Sequence, residues 1–442
     1  MKILHFFPFF SIHANGGTEI FIKNLVRYQN SKGYDVQIIC PNTCEEVKVE
    51  YLENIKLTYF PFPYGTKDQL FISGKSNHTT NLEFEKIVNC IKPDIIHLHG
   101  YHTAYHKYFS GLKKDYILLL TPHLLNIICP KGNFINDKGD ICDGKVEIEK
   151  CAKCVSFSKY KRINKGLVKS KISFEALLIS RFNFFYEFKI FSLVKNVIAR
   201  HEVINFFKDN FYIDALTPWF YKILLNNGFS VEKIRLFPNP LFMEKNYSIK
   251  KKARQGHGAI KFLYVGRISA EKGCEMLTDA LGSLTTHKSG FTIDMFGKID
   301  DSSIQRKINV LKQSGFTINL MGEIPNKELK FQYLSHDYLL FPSSKWAGEM
   351  FPLVIQEAIE SKLPIICSDI PGCKQIIKDK VNGLLFVADD KNDFLRVLED
   401  VITGRSKVQY DFDETIDIKE KRNEYYDDFY LELSDLLEKN ME

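Results

Sequence analysis

Two glutamates with seven residues between them offer this sequence its most concentrated chemistry. Glu349 and Glu357 stand in Gly348-Glu-Met-Phe-Pro-Leu-Val-Ile-Gln-Glu357, and the stretch 348–369 reads as a loop, a helix and a buried strand. Pro352 suits the first helical turn, because its missing N–H has no intrahelical partner there and its φ is already helical. A helix is predicted from about 352 to 361, with Leu353, Ile355, Ala358 and Ile359 on its apolar side, followed by a strand over Pro364–Cys367. Glu349 then falls just before the helix and Glu357 on its second turn. Both carboxylates lie near the positive end of that helix, where free amides also attract phosphate.

Two cations follow a second predicted strand, Ile260-Lys-Phe-Leu-Tyr-Val-Gly266: Arg267 at once and Lys272-Gly273 a turn later. At the carboxyl end of a strand they can neutralise a diphosphate without a metal, or serve as plain surface charges. Gly16 and Gly17 follow the first predicted strand, 2–7, and precede a helix over 18–30 that ends at Gly33 and leads to a strand at Asp35–Cys40. They allow a ligand close approach to the backbone, or simply make a tight turn. Thr18 and Glu19 are suited to the start of that helix. His123 emerges at the end of the strand over 116–120, a place that fits binding and structural roles equally. Alternation sends His97 and His99 to one side of the strand at 94–98, where lining or packing is favoured over metal binding by that pair alone.

Of ten cysteines, Cys129, Cys142, Cys151 and Cys154 fall in one irregular insertion, 126–156. Four soft thiolates in a segment with little core of its own suit a tetrahedral structural zinc; reduced thiols, an iron–sulfur cluster or disulfides are the alternatives. Residues 155–201 are rich in base and aromatic, with Lys161, Arg162, Lys169, Lys171, Arg181 and Lys189 beside Phe182, Phe184, Phe185 and Phe188. Such a segment can lie on an anionic bilayer surface, or pack on its own sheet with a solvated basic face.

The elements that must position these residues follow from length and pattern. A chain of 442 residues divides into two or three domains at roughly 150 residues each. Its apolar share of 45%, charged share of 26% and net charge of +6 describe a globular protein without the strong basicity of a general nucleic-acid binder. No apolar run reaches the ~18 residues of a spanning helix. The opening Met1-Lys-Ile-Leu-His-Phe-Phe-Pro reads as a strand rather than a signal peptide, since His5 and Pro8 interrupt it and no small-residue cleavage site follows. Scattered cysteines without a secretory signal point to a reducing compartment. The recurring order of strand, glycine loop, helix and strand marks doubly wound α/β units, whose ligands lie beyond the carboxyl ends of the strands. The division is a first domain over 1–245, a polar basic linker at 245–257 opening a second domain over 246–417, and a terminal segment over 418–442. In that last segment Tyr426, Phe429, Leu433, Leu436 and Leu437 recur at helical spacing.

Taken together, the motifs are specific. Gly16-Gly-Thr-Glu19, Asp94-Ile-Ile-His-Leu-His-Gly100, Thr121-Pro-His123, Pro238-Asn-Pro240, Val265-Gly-Arg-Ile-Ser-Ala-Glu-Lys-Gly273, Gly322, Pro342-Ser343 and the Glu349–Glu357 pair run nearly the length of the chain. The chain resembles the retaining glycosyltransferases of family 4. The resemblance implies a GT-B fold of two Rossmann-like domains facing across a cleft, with the terminal helix crossing back to the first domain. It implies that the first domain binds the acceptor and the second a nucleoside diphosphate sugar, UDP- or GDP-linked. Arg267 and Lys272 would hold the diphosphate, Glu357 the ribose hydroxyls, and Glu349 the transferred sugar. Met350, Phe351 and Leu353 would complete the donor site with Gly16 and Gly17, and His123 would line the sugar.

Two residues depart from the family pattern: Pro352 stands where glycine is frequent and offers no amide, and Leu124 follows His123 where a small or acidic residue is common. The expected activity is a metal-independent, retaining transfer of a hexose-type sugar to a glycan or lipid-linked acceptor in cell-surface polysaccharide or lipopolysaccharide biosynthesis. The expected place is the cytoplasm, with peripheral contact at the inner face of the membrane and no nucleic-acid partner. The rival functions are a nucleotide-sugar epimerase of similar architecture, which needs no acceptor, and a non-catalytic glycan- or membrane-binding protein on the same scaffold.

Overall fold

The computed structural model describes residues 1–8, 10–14, 16–42, 44–61, 78–101, 109, 116–159, 189–236, 258–408, 428–429, 431–433 and 435. They fall into two compact units, Met1–Phe242 with Tyr425–Glu442, and Met243–Glu424.

In the first unit the elements run β1 (Lys2–Phe6), α1 (Gly17–Ser31), β2 (Asp35–Asn42), β3 (Lys48–Leu52), β4 (Ile55–Pro61), α2 (His78–Ile91), β5 (Ile95–Leu98), β6 (Ile117–Leu120), α3 (Ile148–Lys159), α4 (Lys189–Asn210), β7 (Tyr212–Ala215), α5 (Pro218–Asn226) and β8 (Ile234–Leu236). The sheet order is β3-β4-β2-β1-β5-β6-β7-β8, parallel throughout except for the antiparallel β3–β4 edge. Strands buried on both faces need continuous apolar sequence, and β5 and β6 are buried at every position. Helix α1 covers the sheet with Phe21, Ile22, Leu25, Val26 and Gln29, spaced to share one helical face. Phe429 and Leu433 are buried in this same core. Each contributes about 2 kcal/mol of apolar burial before ordering costs, which ties the terminal segment to the first unit.

The second unit is more regular: β9 (Ile260–Val265), α6 (Cys274–Ser283), β10 (Phe291–Phe296), α7 (Ser302–Gln313), β11 (Thr317–Gly322), α8 (Asn326–Ser335), β12 (Tyr338–Phe341), α9 (Leu353–Glu360), β13 (Ile365–Ser368), α10 (Pro371–Lys374), β14 (Gly383–Phe386) and α11 (Lys391–Ile402). Its all-parallel order, β11-β10-β9-β12-β13-β14, is the Rossmann winding 3-2-1-4-5-6. The winding reverses direction between β9 and β12 here, and between β1 and β5 in the first unit. Loops diverge at each reversal, so a crevice opens beyond the strand ends.

Several expectations shift. Pro352 is the residue capping α9 rather than part of its first turn: its ψ of 124° is extended, and the helix begins at Leu353. The following strand sits one residue later than expected. Strand β3 was not expected at all, because an exposed edge strand lacks the buried alternation that marks strands in sequence. Most of the basic segment, 160–188, lies outside the described residues, as do the Pro238-Asn-Pro240 motif and the interdomain linker. No helix among the described residues is long and apolar enough to cross a membrane.

Candidate active site

The crevice of the second unit is shaped first by glycines. Gly273 adopts a left-handed φ of 76° at the start of α6, and a Cβ there would lie 1.8 Å from the Pro342 carbonyl oxygen at the end of β12. Only glycine lets the loop after β9 press so closely on the neighbouring strand end. Gly372 does the same for the loop before α9, since a Cβ on it would stand 2.4 Å from the Glu349 carbonyl oxygen.

This packing joins residues distant in sequence. Lys272 Nζ donates to Glu349 Oε1 at 2.5 Å, and the Ser343 hydroxyl donates to the same oxygen at 3.1 Å. The lysine and glutamate side chains keep 24% and 13% exposure, so the pair is sheltered yet reachable. Ser343 is fixed in turn by Ser368, whose hydroxyl donates to its carbonyl at 2.7 Å. Arg267 is exposed and spans Glu271 and Asp300, the latter at 3.4 Å. Both cations therefore carry carboxylate partners before any anion arrives.

Glu357 stands on the second turn of α9, where Tyr333 Oη donates to its Oε2 at 2.7 Å. Burial raises its pKa to about 7, opposed by the tyrosine hydrogen bond. Met350 is buried, and Phe351 and Leu353 are half-buried at the start of the same helix. Tyr333, Glu271 and Asp300 were not singled out from sequence; their contacts depend on register between elements, which spacing alone does not show.

The first unit holds the other expected residues. Gly16 and Gly17 open α1 with exposed backbone and no side-chain cap. Half-buried His123 follows β6, packed edge-on against Phe21 with ring centroids 4.6 Å apart. Behind it lies a cluster that sequence reasoning saw only in part. His97 and His99 point to the same side, as alternation requires, and His5 from β1 joins them because His5 and His97 are register partners in the β1–β5 ladder. All three are buried to 1% exposure or less. Among the described residues they form the one group of three or more metal-capable side chains whose ligand atoms lie within 4.8 Å of one another. Burial lowers the pKa of His5 to about 4 and of His123 to about 3, and drives His97 and His99 well below the usual value. The rings are therefore neutral at pH 7.

The four insertion cysteines are all free thiols, Cys129 and Cys151 buried, Cys142 and Cys154 half-buried. An Ile135–Ile141 bridge, the Cys142 N–H donating to the Phe134 carbonyl at 2.6 Å, and the Asn227 amide donating to the Gly144 carbonyl at 2.9 Å shape the segment. The thiols are close enough to raise one another's pKa, although burial is the larger cause for Cys142, Cys151 and Cys154. Their sulfurs are more widely spread than in a closed tetrahedral site, no three of them lying within the 4.8 Å of one another that the histidine nitrogens do. Arg200 is buried within electrostatic reach of Cys129, and its Nε and Nη1 have no hydrogen-bond partner among the described residues.

Comparison with known proteins agrees with this geometry. Residues 246–416 match the family described as glycosyl transferases group 1, and residues 15–136 match glycosyltransferase family 4. The chain belongs to the group 1, family 4 glycosyltransferases. Within this family it is 26% identical over 202 residues to the lipopolysaccharide 1,6-galactosyltransferase of Escherichia coli (strain K12). That match covers 45% of this chain and 54% of the relative, about half the length of each. Among solved structures, the apo lipopolysaccharide outer core galactosyltransferase WaaB superposes with a TM-score of 0.58 at 17% identity, covering all of both chains. The Anabaena HepE protein in complex with UDP and glucose gives 0.58 at 12% identity, over 97% of this chain and 99% of that one. These likenesses show the fold, two Rossmann-like units of the GT-B class.

Proposed function

We propose that this glycosyltransferase moves a hexose-type sugar from a nucleoside diphosphate donor to a glycan or lipid-linked acceptor in cell-surface polysaccharide assembly. The second unit takes the donor and the first the acceptor. The observation that carries the reading is the Lys272–Glu349 pair at the β9–β12 reversal, a sheltered cation beside a carboxylate where an α/β sheet receives its ligand. The galactosyltransferase relatives and the UDP complex of HepE support the donor class.

Sugar transfer passes through an oxocarbenium-like state while negative charge gathers on the departing diphosphate. Arg267 and Lys272 neutralise that charge, exchanging their carboxylate partners for phosphate oxygens. Once Lys272 turns to phosphate, Glu349 is released to accept from a sugar hydroxyl. Glu357 uses the oxygen not held by Tyr333 to accept from the ribose, which requires its ionised form. Met350, Phe351 and Leu353 wall the nucleotide side. The exposed amides at Gly16 and Gly17 offer donors to an anionic group, and His123 accepts from a sugar hydroxyl. Two cations suffice for the diphosphate, so the reaction proceeds without a metal, and the configuration at the anomeric carbon is retained by attack from the leaving-group face. Glu357, occupied by ribose, does not serve as the second carboxylate of a hydrolase pair.

For the insertion we also propose a single structural zinc that Cys129, Cys142, Cys151 and Cys154 would hold only if binding draws their sulfurs closer together. The donor set suits zinc, and the buried Arg200 guanidinium, whose Nε and Nη1 have no partner among the described residues, suits the net negative charge of a four-thiolate centre. Metal analysis of protein purified without chelators should find about one zinc per chain; stable metal-free protein would refute it. Ten free cysteines fit a reducing, cytoplasmic setting.

The reaction itself is tested by incubating the enzyme with nucleotide sugars in chelator, with and without an acceptor pool. Acceptor-dependent release of nucleoside diphosphate supports transfer. An isomerised donor formed without acceptor would instead identify an epimerase.

A further inference from the structure

The first unit's histidines form a continuous hydrogen-bonded line. The ring nitrogen His5 Nε2 lies 2.7 Å from Gln29 Oε1, His5 Nδ1 lies 2.8 Å from His99 Nε2, and His99 Nδ1 lies 3.1 Å from His123 Nε2. Gln29, His5 and His99 are buried to 1% or less, so no bulk water can replace a missing partner. A neutral imidazole has one N–H and one bare nitrogen, so each contact dictates the next. The Gln29 oxygen can only accept, which puts a proton on His5 Nε2 and leaves His5 Nδ1 bare. His99 must then donate from Nε2, which leaves its Nδ1 to accept from His123 Nε2–H. The last ring is left with Nδ1 unprotonated.

We propose that Gln29, His5 and His99 are positioning residues that lock His123 in one orientation and one tautomer, with Nδ1 as a hydrogen-bond acceptor for a sugar hydroxyl. The hydroxyl's role rests on the transferase reading above; the tautomer lock does not. Burial keeps the three rings of the line neutral, so it conducts no net charge and only fixes where the protons sit.

His97 belongs to a separate branch. Its Nε2 lies 2.7 Å from Thr121 Oγ1, whose hydroxyl donates to Asp214 Oδ2 at 2.8 Å, and its Nδ1 has no partner among the described residues. Asp214, raised to about 7 by burial, is the acidic group facing this side of the cluster. A metal on His5, His97 and His99 would need a bare nitrogen from each. The 2.8 Å contact between His5 and His99 is instead an N–H···N distance, in which one nitrogen holds the proton.

The test uses the full-length protein labelled with 15N at histidine. Long-range proton–nitrogen correlation should show His123 protonated on Nε2 and bare on Nδ1. Both His99→Phe and the more remote His5→Phe should turn this single tautomer into a mixture, whereas His99→Gln, which restores an acceptor, should retain more of it. Packing loss alone would lower the melting temperature without moving tautomer populations. Amide hydrogen-exchange protection of the β1 and β5 strands, which carry His5 and flank His99, reports whether the first unit of each variant still folds. If a variant does not fold, the wild-type spectrum decides alone. Transfer by His99→Phe should fall about tenfold in kcat/KM. A wild-type His123 with its proton on Nδ1 overturns the lock, as does an unchanged tautomer in both Phe variants or zinc taken up by the histidines. A locked tautomer without any sugar transfer would leave the relay standing and sink the transferase reading.

Discussion

The reversal points of the two sheets use the same geometry with opposite electrostatics. Between β1 and β5 the polar groups are neutral, buried imidazoles that satisfy one another through N–H···N contacts. Between β9 and β12 they are full charges, Arg267 with Glu271 and Asp300, Lys272 with Glu349, kept within reach of solvent. Burial decides the difference. A charge sealed at 1% exposure would cost several kcal/mol unless paired, so the first unit holds its histidines uncharged. The second unit keeps its ions half-sheltered, where they can change partners when a ligand arrives. One crevice is built to orient hydrogen bonds, the other to exchange charge.

The contrast breaks most sharply at Lys272. Lys272→Ala removes the cation proposed to face the leaving group and should lower kcat by about 10²–10³-fold, while the melting temperature changes little; unchanged turnover would remove Lys272 from the mechanism.

Acid should break the first crevice before the second. The four histidine pKa values lie below the unfolded value of 6.5 while Asp214 is raised to about 7, so below about pH 6.5 unfolding takes up protons on four histidines and releases one from Asp214, a net uptake. Stability of the first unit is thus lost as pH falls from about 6.5 toward 4, by an amount on the order of a few kcal/mol for the cluster. Hydrogen exchange followed by unit should show the first unit opening earlier; equal loss in both would refute neutral burial as the cause.

The second crevice has a gentler pH response. Glu357, raised to about 7, must be ionised for its proposed role as acceptor from ribose, so nucleotide binding should weaken as pH drops below about 7. Glu357→Gln should cost about tenfold in affinity and flatten that dependence. A variant that keeps the same pH slope would assign it to another group.

How much of this was legible in sequence follows the same division. Glu349, Glu357, Arg267 and Lys272 could be singled out because charged residues at strand ends and helix starts stand out against apolar runs. That Lys272 pairs with Glu349 could not be read, since the contact spans 77 residues and depends on Gly273 packing against Pro342. Both doubly wound units followed from the alternation of strands and helices, and the terminal segment from the spacing of Phe429 and Leu433. His5 stayed hidden because it sits within an apolar strand, and only the β1–β5 register brings it to His97 and His99. The start of α9 was misplaced by one residue because proline's fixed φ suits both a cap and a first turn, and only ψ separates them.

The most direct test of the donor assignment is calorimetric titration of uridine, guanosine and adenosine diphosphates in chelator, with wild-type protein and Lys272→Ala. The account predicts selective binding of one diphosphate without divalent metal, weakened at least about tenfold in the variant. Equal affinity in both proteins, or no binding by any of the three, would contradict it.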